Sequence, residues 1–517
     1  MANKNLFQSQ RGRLVPETNA HNEAGGRAYQ LSPKAALAQY VATGCLNATY
    51  YADAETQLGV VLNLCGQLEP VFVAKAAIYA RQRGYMKDMP ALLTAWLTQH
   101  GPDLLEPVFA RVVDNGRMLR NFVQIIRSGV VGRKSLGSRP KRLVQRWLND
   151  STDGQLLSAS IGNDPSLADV LKMVHPQPAT PERTAFYAYL LGKAHDAALL
   201  PEAIKALERF KADVNAAVPD VPFQLLTALP LQPQHWVAIA CQASWQTTRM
   251  NLNTFARHEV FKVGGMAQRI AERLRDPAAI RRARVFPYQL LSAYYMTGEQ
   301  VPAVVRDALQ DALEVALENV PALPGQVYVL LDVSGSMSSP VTGHRKGATS
   351  KVRCVDVAAL VAAALSAKNP ATEILPFDTR IHAPRLNRRD SVLTQAQTLA
   401  KLCGGGTDCG LPLATLNQRK AKGDLVIYVS DNQSWADPQR GIGTETMRQW
   451  ETFCQRNPRA RLACIDIQPY ATVQAQTRDD VLNVGGFSDT VFEVLAHFAA
   501  GQLGGEHWVR EVDAVEV

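Results

Sequence analysis

The sequence predicts two fold classes in one chain: a region of stacked α-helices, followed by an α/β domain built on a parallel sheet. Three observations carry that prediction. The chain has 517 residues, too many for one hydrophobic core. From residue 31 to about 320, apolar residues recur three and four apart, with breaks at Gly, Pro or Asn. Beyond the short Pro/Gly linker PALPGQ, residues 321–326, apolar runs alternate with helical patterns.

In the first region, SPKAALAQYVATG, PVFVAKAAIYARQRG, DMPALLTAWLTQHG and VVRDALQDALEVALENV each read as one helix. Elements of roughly 12–18 residues joined by short breaks suggest helix pairs stacked as a solenoid with degenerate repeats. Past the linker the order is VYVLLDV, VDVAALVAAALSA, EILPFD, LTQAQTLAKL, DLVIYVSD, TETMRQWETFCQR and ARLACIDIQP. Strand and helix alternate, which predicts a parallel sheet covered on both faces. Ligand sites in such sheets lie at the carboxyl ends of the strands.

Composition narrows the class. Hydrophobic residues make up 46% and charged residues 20%, ordinary for a globular protein. No apolar run approaches the roughly 18 residues of a membrane span. The polar start MANKNLFQSQRGRLVPETNA lacks the apolar stretch of a signal peptide, so a cytoplasmic protein is expected. The eight cysteines form no CxxC pair and have no histidine at zinc-ligand spacing. They read as free thiols. Residues 326–517 hold 20 Lys/Arg and 20 Asp/Glu, so the whole net charge of +8 sits in residues 1–325. A polyanionic partner should bind there.

The stretch VYVLLDVSGSMSSP, residues 327–340, ends an apolar run in an acid and two serines. A nucleophilic serine, a phospho-acceptor aspartate and a metal site are the candidates, against a plain polar turn. A hydrolase elbow requires G-x-S-x-G, which neither Ser334 nor Ser336 satisfies, and nothing orients His344 or His382 as a base. No lysine and acid set for an aspartyl-phosphate site is evident. Two further loops present oxygen ligands where later strands should end: GGGTDCG, with Thr407, and LVIYVSDNQSW, with Asp431. Asp332, Ser334, Ser336, Thr407 and Asp431 together suit a hard divalent cation such as Mg²⁺.

The helical half carries RMLRNFVQIIRSGVVGRKSLGSRPKRLVQRW, residues 117–147. It holds nine cations, Arg117, Arg120, Arg127, Arg133, Lys134, Arg139, Lys141, Arg142 and Arg146, and no acid. A Gly/Ser/Pro-broken loop leading into a helix offers charge and backbone N–H groups to phosphates. A second cluster runs from Arg269 to Arg284. For it, a solvated helix face is as good a reading as a phosphate site.

The D-x-S-x-S, GGGTD and strand-end SD motifs resemble the metal-ion-dependent adhesion site of von Willebrand factor A domains. That family's site leaves a coordination position open for a partner's acidic side chain. The order of the two halves goes further. With NEAGGRAYQLSPKAALAQYVATGCLNATYY, VLKMVHPQP, WQTTRMNLNTFARHEVF and RVFPYQLLSAYYMTG, residues 20 to 517 resemble the Ro autoantigen family. The resemblance implies a TROVE-like module of HEAT-like helical repeats, residues 20–320, closed into a ring. A von Willebrand factor A domain, residues 326–517, would follow. It implies an RNA-binding protein and not an enzyme. Small structured Y-like RNAs would bind the basic outer surface, here RSGVVGRKSLGSRPKR, and misfolded RNA would thread the hole near His175. It also implies a role in RNA quality control or as a ribonucleoprotein scaffold, with an exoribonuclease as a partner. The sequence departs from the family just before His175. From Ser158 to Met173 the only cation is Lys172, against Asp164 and Asp169, where relatives with a single-strand site carry Lys and Arg. A metal-dependent protein-interaction scaffold is the alternative. The insertion SSPVTGHRKGATSKVR, 338–353, is expected beside the metal.

Overall fold

The structure is a computed structural model. It describes residues 14–283, 285, 287–318, 320–344, 350–436, 438, 441–486 and 489–517. Its strands, in chain order, are β1 (Ala20–His21), β2 (Arg27–Gln30), β3 (Val327–Asp332), β4 (Thr372–Phe377), β5 (Leu425–Ser430), β6 (Arg461–Asp466), β7 (Thr472–Val473) and β8 (Val481–Gly485).

Five of these form one all-parallel sheet in the order β4-β3-β5-β6-β8. Every residue of β3 and β5 is buried, which is why both read as continuous apolar runs rather than alternating ones. The helix Cys354–Lys368 connects β3 to β4 and is buried at every residue from Cys354 to Leu365. A helix apolar all round belongs inside. The chain leaves β3 for β4 on one side and returns to β5 on the other. That reversal of direction opens a crevice at the carboxyl ends of β3 and β5.

The compact units do not divide at the Pro/Gly linker. One unit comprises residues 1–72, 286–295 and 316–515, the other 73–285, 296–315 and 516–517. The N-terminal stretch joins the sheet unit because it is hydrogen-bonded into it. β2 pairs antiparallel with β7, Tyr29 opposite Val473. The helix Pro33–Thr43 packs on β8 and on the helix His507–Asp513. There Trp508 Nε1 donates to the Ala38 carbonyl at 3.1 Å.

Among its described residues the regular elements of the second unit are all helices. Its helices include Asp88–His100, Leu105–Val112, Gly116–Ser128, Ser138–Asp150, Asp153–Ala159 and Leu167–Val174. Local signals set their ends. Asn115 caps the helix Gly116–Ser128 by accepting from the N–H groups of Arg117 and Met118, and Gly129 ends it with a φ of 88°. Gly116 is required by packing. A Cβ there would lie 2.1 Å from Ala159 Cβ, so the crossing with Asp153–Ala159 excludes any side chain. Among the described residues no helix is long and apolar enough to cross a membrane.

Candidate metal centre and nucleic-acid interface

Asp332 is the last residue of β3 and is wholly buried. Its Oδ1 accepts the Ser334 N–H at 2.8 Å and its Oδ2 accepts Ser430 Oγ at 2.5 Å. Ser334 Oγ and Ser336 Oγ are 3.3 Å apart. The glycine-rich loop is stitched to this turn by two backbone bonds. Gly404 N–H donates to the Val333 carbonyl at 2.7 Å, and Gly335 N–H to the Gly405 carbonyl at 2.9 Å. Gly405 has a φ of 78°, and a Cβ there would sit 2.7 Å from Asp378 Oδ2. Only glycine lets the loop pass this close. The loop delivers Thr407, whose carbonyl accepts the Trp435 and Ala436 N–H groups at 3.1 and 3.0 Å. Asp431, just past β5, lies within hydrogen-bond reach of Ser336. The structure thus places Asp332, Ser334, Ser336 and Asp431 at one rim, with Thr407 in the loop bonded to the same turn, and all five are buried.

Two carboxyl groups in so dry a pocket cannot easily carry two charges. Burial pushes Asp431 up to about 7, with the charge of Asp332 the second cause. Burial likewise raises Asp332, aided by Asp378 and opposed by hydrogen bonds from Ser334 and Ser430. A divalent cation would relieve that strain. Two carboxylates and three hydroxyls form an all-oxygen donor set of the kind a hard ion takes. Among the described residues no three His, Cys, Asp or Glu side chains converge as a metal set, so hydroxyls have to complete the shell. The residues fit such an ion.

Three neighbours of this site escaped the sequence reading. Ser430 orients Asp332. Asp378 follows β4 and engages His382 at 3.0 Å. Asp466 ends β6, opposite Ser430 in the register. Its Oδ1 accepts from Asn432 Nδ2. Burial, then the charge of Asp431, pushes its carboxyl well up. The signal was present: VYVLLD, LVIYVSD and LACID all run from apolar strand into acid. In the insertion, residues 345–349 lie outside the described residues. Arg353, at its end, does not point charge at a ligand. It forms a capping pair with Asp356, Nη2 to Oδ1 at 2.8 Å, that starts the helix Cys354–Lys368.

The basic stretch divides into two groups of cations. Arg120 donates to the carbonyls of Ala159, at 2.6 Å, and Ile161. Arg133 holds the turn that precedes the helix Ser138–Asp150, donating to the Ser135 and Leu136 carbonyls at 2.8 and 2.6 Å. Arg139 pairs with Asp103 at 3.0 Å, and Arg146 with Glu106. The stretch has no acid in sequence, but two come to it from just upstream, Asp103 in the turn before the helix Leu105–Val112 and Glu106 on that helix. By contrast, Arg117, Arg127, Lys134, Lys141 and Arg142 make no salt bridge among the described residues. Arg117 and Arg120 line an open cleft of about 770 Å³ with Asn115, Gln155, Ser158 and Ile161. His175 is exposed and ends the helix Leu167–Val174 with a φ of 49°. Gln145, from the basic helix, donates to the Val174 carbonyl at 2.6 Å, which places His175 beside that helix. In the second cluster, Arg273 is a backbone clamp on Ala240 and Cys241, at 2.7 and 2.8 Å, and Arg275 pairs with Asp311 at 2.6 Å. Arg284 lies outside the described residues.

Comparison with known proteins joins the two regions. Residues 326–499 match the family model described as the Ro60 vWA domain. The chain is also 26% identical to RNA-binding protein RO60 of Deinococcus radiodurans, over 95% of its own length and 97% of the relative's. The chain is thus similar to Ro proteins along nearly its whole length, and residues 326–499 match their vWA domain. RNA-binding protein RO60 of Caenorhabditis elegans is 26% identical over 45% of this chain and 37% of that protein. The crystal structure of the Deinococcus radiodurans RO (RSR) protein superposes with a TM-score of 0.62 at 21% identity. It covers 91% of this chain and all of that one, so this chain shares its fold, helical region and vWA domain alike.

Proposed function

We propose that this chain is a member of the Ro family and binds small structured RNA through the helices spanning residues 116–150. The observation that carries the reading is the set of five cations there that make no salt bridge among the described residues, although Arg127 and Arg142 feel Asp169 and Glu106 at longer range, on a chain aligned almost end to end with a relative named for RNA binding. Counterion release from phosphates would supply most of the affinity. Arg139 and Arg146 sit in exposed pairs, worth about 0–1 kcal/mol, and can exchange their acids for phosphates. Arg120 and Arg133 act differently. They shape the surface by fixing backbone carbonyls.

The RNA is proposed to be Y-like, and the chain to act in the cytoplasm as a quality-control or scaffold protein rather than an enzyme. Asp332, Ser334, Ser336, Thr407 and Asp431 would hold Mg²⁺. When bound, the ion supplies a positive docking point for an acidic side chain, on an exoribonuclease or another protein. Among the described residues His382 is turned to Asp378 and not to the serines. The test is RNA that copurifies with the full chain. Charge reversal of Arg117, Lys134, Lys141 and Arg142 should remove it. Undiminished RNA on that folded variant would reject the reading.

The second reading, a metal-dependent scaffold in which RNA is incidental, rests on the completeness of the buried oxygen site. It expects Asp332→Ala to lose a protein partner while the copurifying RNA is unchanged.

A further inference from the structure

The segment Asn47–Tyr51, read in sequence as part of the first helical repeats, lies on the candidate cation site. Asn47 Nδ2 donates to the Thr342 carbonyl at 2.8 Å. His344 N–H donates to the Ala48 carbonyl at 2.7 Å, an isolated antiparallel bridge. Tyr470 hydroxyl donates to Thr49 Oγ1 at 3.2 Å. The Tyr51 ring meets the Tyr470 ring edge-on at 6.1 Å. Its hydroxyl is within hydrogen-bond reach of Ser336 and feels the charges of Asp431 and Asp332. Tyr50 stacks edge-on against Tyr51 at 4.8 Å and is 57% exposed.

We infer that Tyr51 is a further residue of this site, contributed in cis: the strap 47–51 seats its hydroxyl on Ser336 and closes the face through which an outside carboxylate would reach a bound cation. The inference rests on the cation reading above. The contrast in packing supports it. The five oxygen-bearing residues beneath are buried, whereas none of residues 45–52 is. Core packing fixes the site, while hydrogen bonds and ring edges hold the strap, so the strap can lift and leave the site intact. The strap also lies outside residues 326–499, the extent of the domain match. Access to the site is thus set by a part of the chain nearly three hundred residues away in sequence.

A closed strap lowers the apparent affinity of an outside ligand by the fraction of time it is open. The test is calorimetry on the full chain, with Mg²⁺ first and acetate second, for wild type, Tyr51→Phe and Tyr51→Ala. All three should bind Mg²⁺, and acetate affinity is compared between the Mg²⁺-saturated proteins. Acetate should bind Mg²⁺-loaded Tyr51→Ala about tenfold more tightly than wild type, with Tyr51→Phe in between, as expected for a strap open about a tenth of the time. Equal acetate affinity in three Mg²⁺-binding proteins overturns the strap and leaves the cation site standing. Failure of the wild type to bind Mg²⁺ removes the cation reading and the strap with it. Tyr51→Phe keeps the ring, so it reports even if the alanine variant is poorly folded.

Discussion

The rim of the parallel sheet and the helices of residues 116–150 both concentrate charge, but by opposite means. At the rim, acids are buried, close together and held by neighbouring hydroxyls and N–H groups. Along the helices, most cations are exposed, and about half of them are engaged by the chain itself. Burial makes a polar group costly unless something compensates it, so a buried charge implies a partner. Exposure carries no such implication, and each surface cation has to be assessed by what its side chain touches.

That contrast can be broken or sharpened by experiment. The largest effect on stability is expected at the rim. Mg²⁺ at a hundred times its Kd should stabilise the wild type by about 2.7 kcal/mol, read as a rise in thermal midpoint, and Asp332→Ala should abolish the rise. A midpoint that responds equally to Mg²⁺ in both proteins would move the ion elsewhere. Protons should compete with the ion. The Asp431 carboxyl is raised to about 7, far above its unfolded value near 4. The metal-free native state therefore binds more protons than the unfolded state between those values. Its stability should fall as pH rises through that window. Mg²⁺ should flatten this trend and bind more tightly as pH rises. Asp431→Asn should weaken the dependence, with the raised Asp332 and Asp466 carboxyls keeping the rest; an unchanged slope would place the proton elsewhere.

Next in size are the clamps. Arg120→Ala removes charged donors from two backbone carbonyls and should cost about 1.5–3 kcal/mol in chemical denaturation. A loss near zero would return Arg120 to the group available for phosphate. Smallest is the effect of Arg142→Ala on stability, expected within about 0.5 kcal/mol, although RNA affinity falls. A large loss of stability would show that Arg142, too, is a structural arginine.

The sequence made the rim legible because strand ends and small hydroxyl residues form a local pattern. Asp332, Ser334 and Ser336 lie in one pentapeptide, and Asp431 follows its own apolar run. What stayed hidden required tertiary knowledge. Tyr51 reaches Ser336 across 285 residues of chain. The N-terminal stretch read as helical repeat because Pro33–Thr43 is a helix, but its assignment to the sheet unit depends on β2 pairing with β7. The absence of acids from residues 117–147 was correct as sequence. It was incomplete as electrostatics, since Asp103 and Glu106 come from the preceding turn and helix. Arg133, in the middle of the most RNA-like stretch, is spent on its own turn. Periodicity cannot show which way a cation bends.

The central claim is that unpaired cations, and not the whole basic stretch, hold the RNA. The most direct test is the salt dependence of a small structured RNA's affinity for the wild type and for Arg117→Ala, Lys134→Ala, Lys141→Ala and Arg142→Ala combined. Each lost phosphate contact should lower the slope of log K against log salt by about 0.7–0.9. The account predicts a slope shallower by roughly three, with the helical circular dichroism unchanged. An unchanged slope and affinity in the folded variant would contradict it.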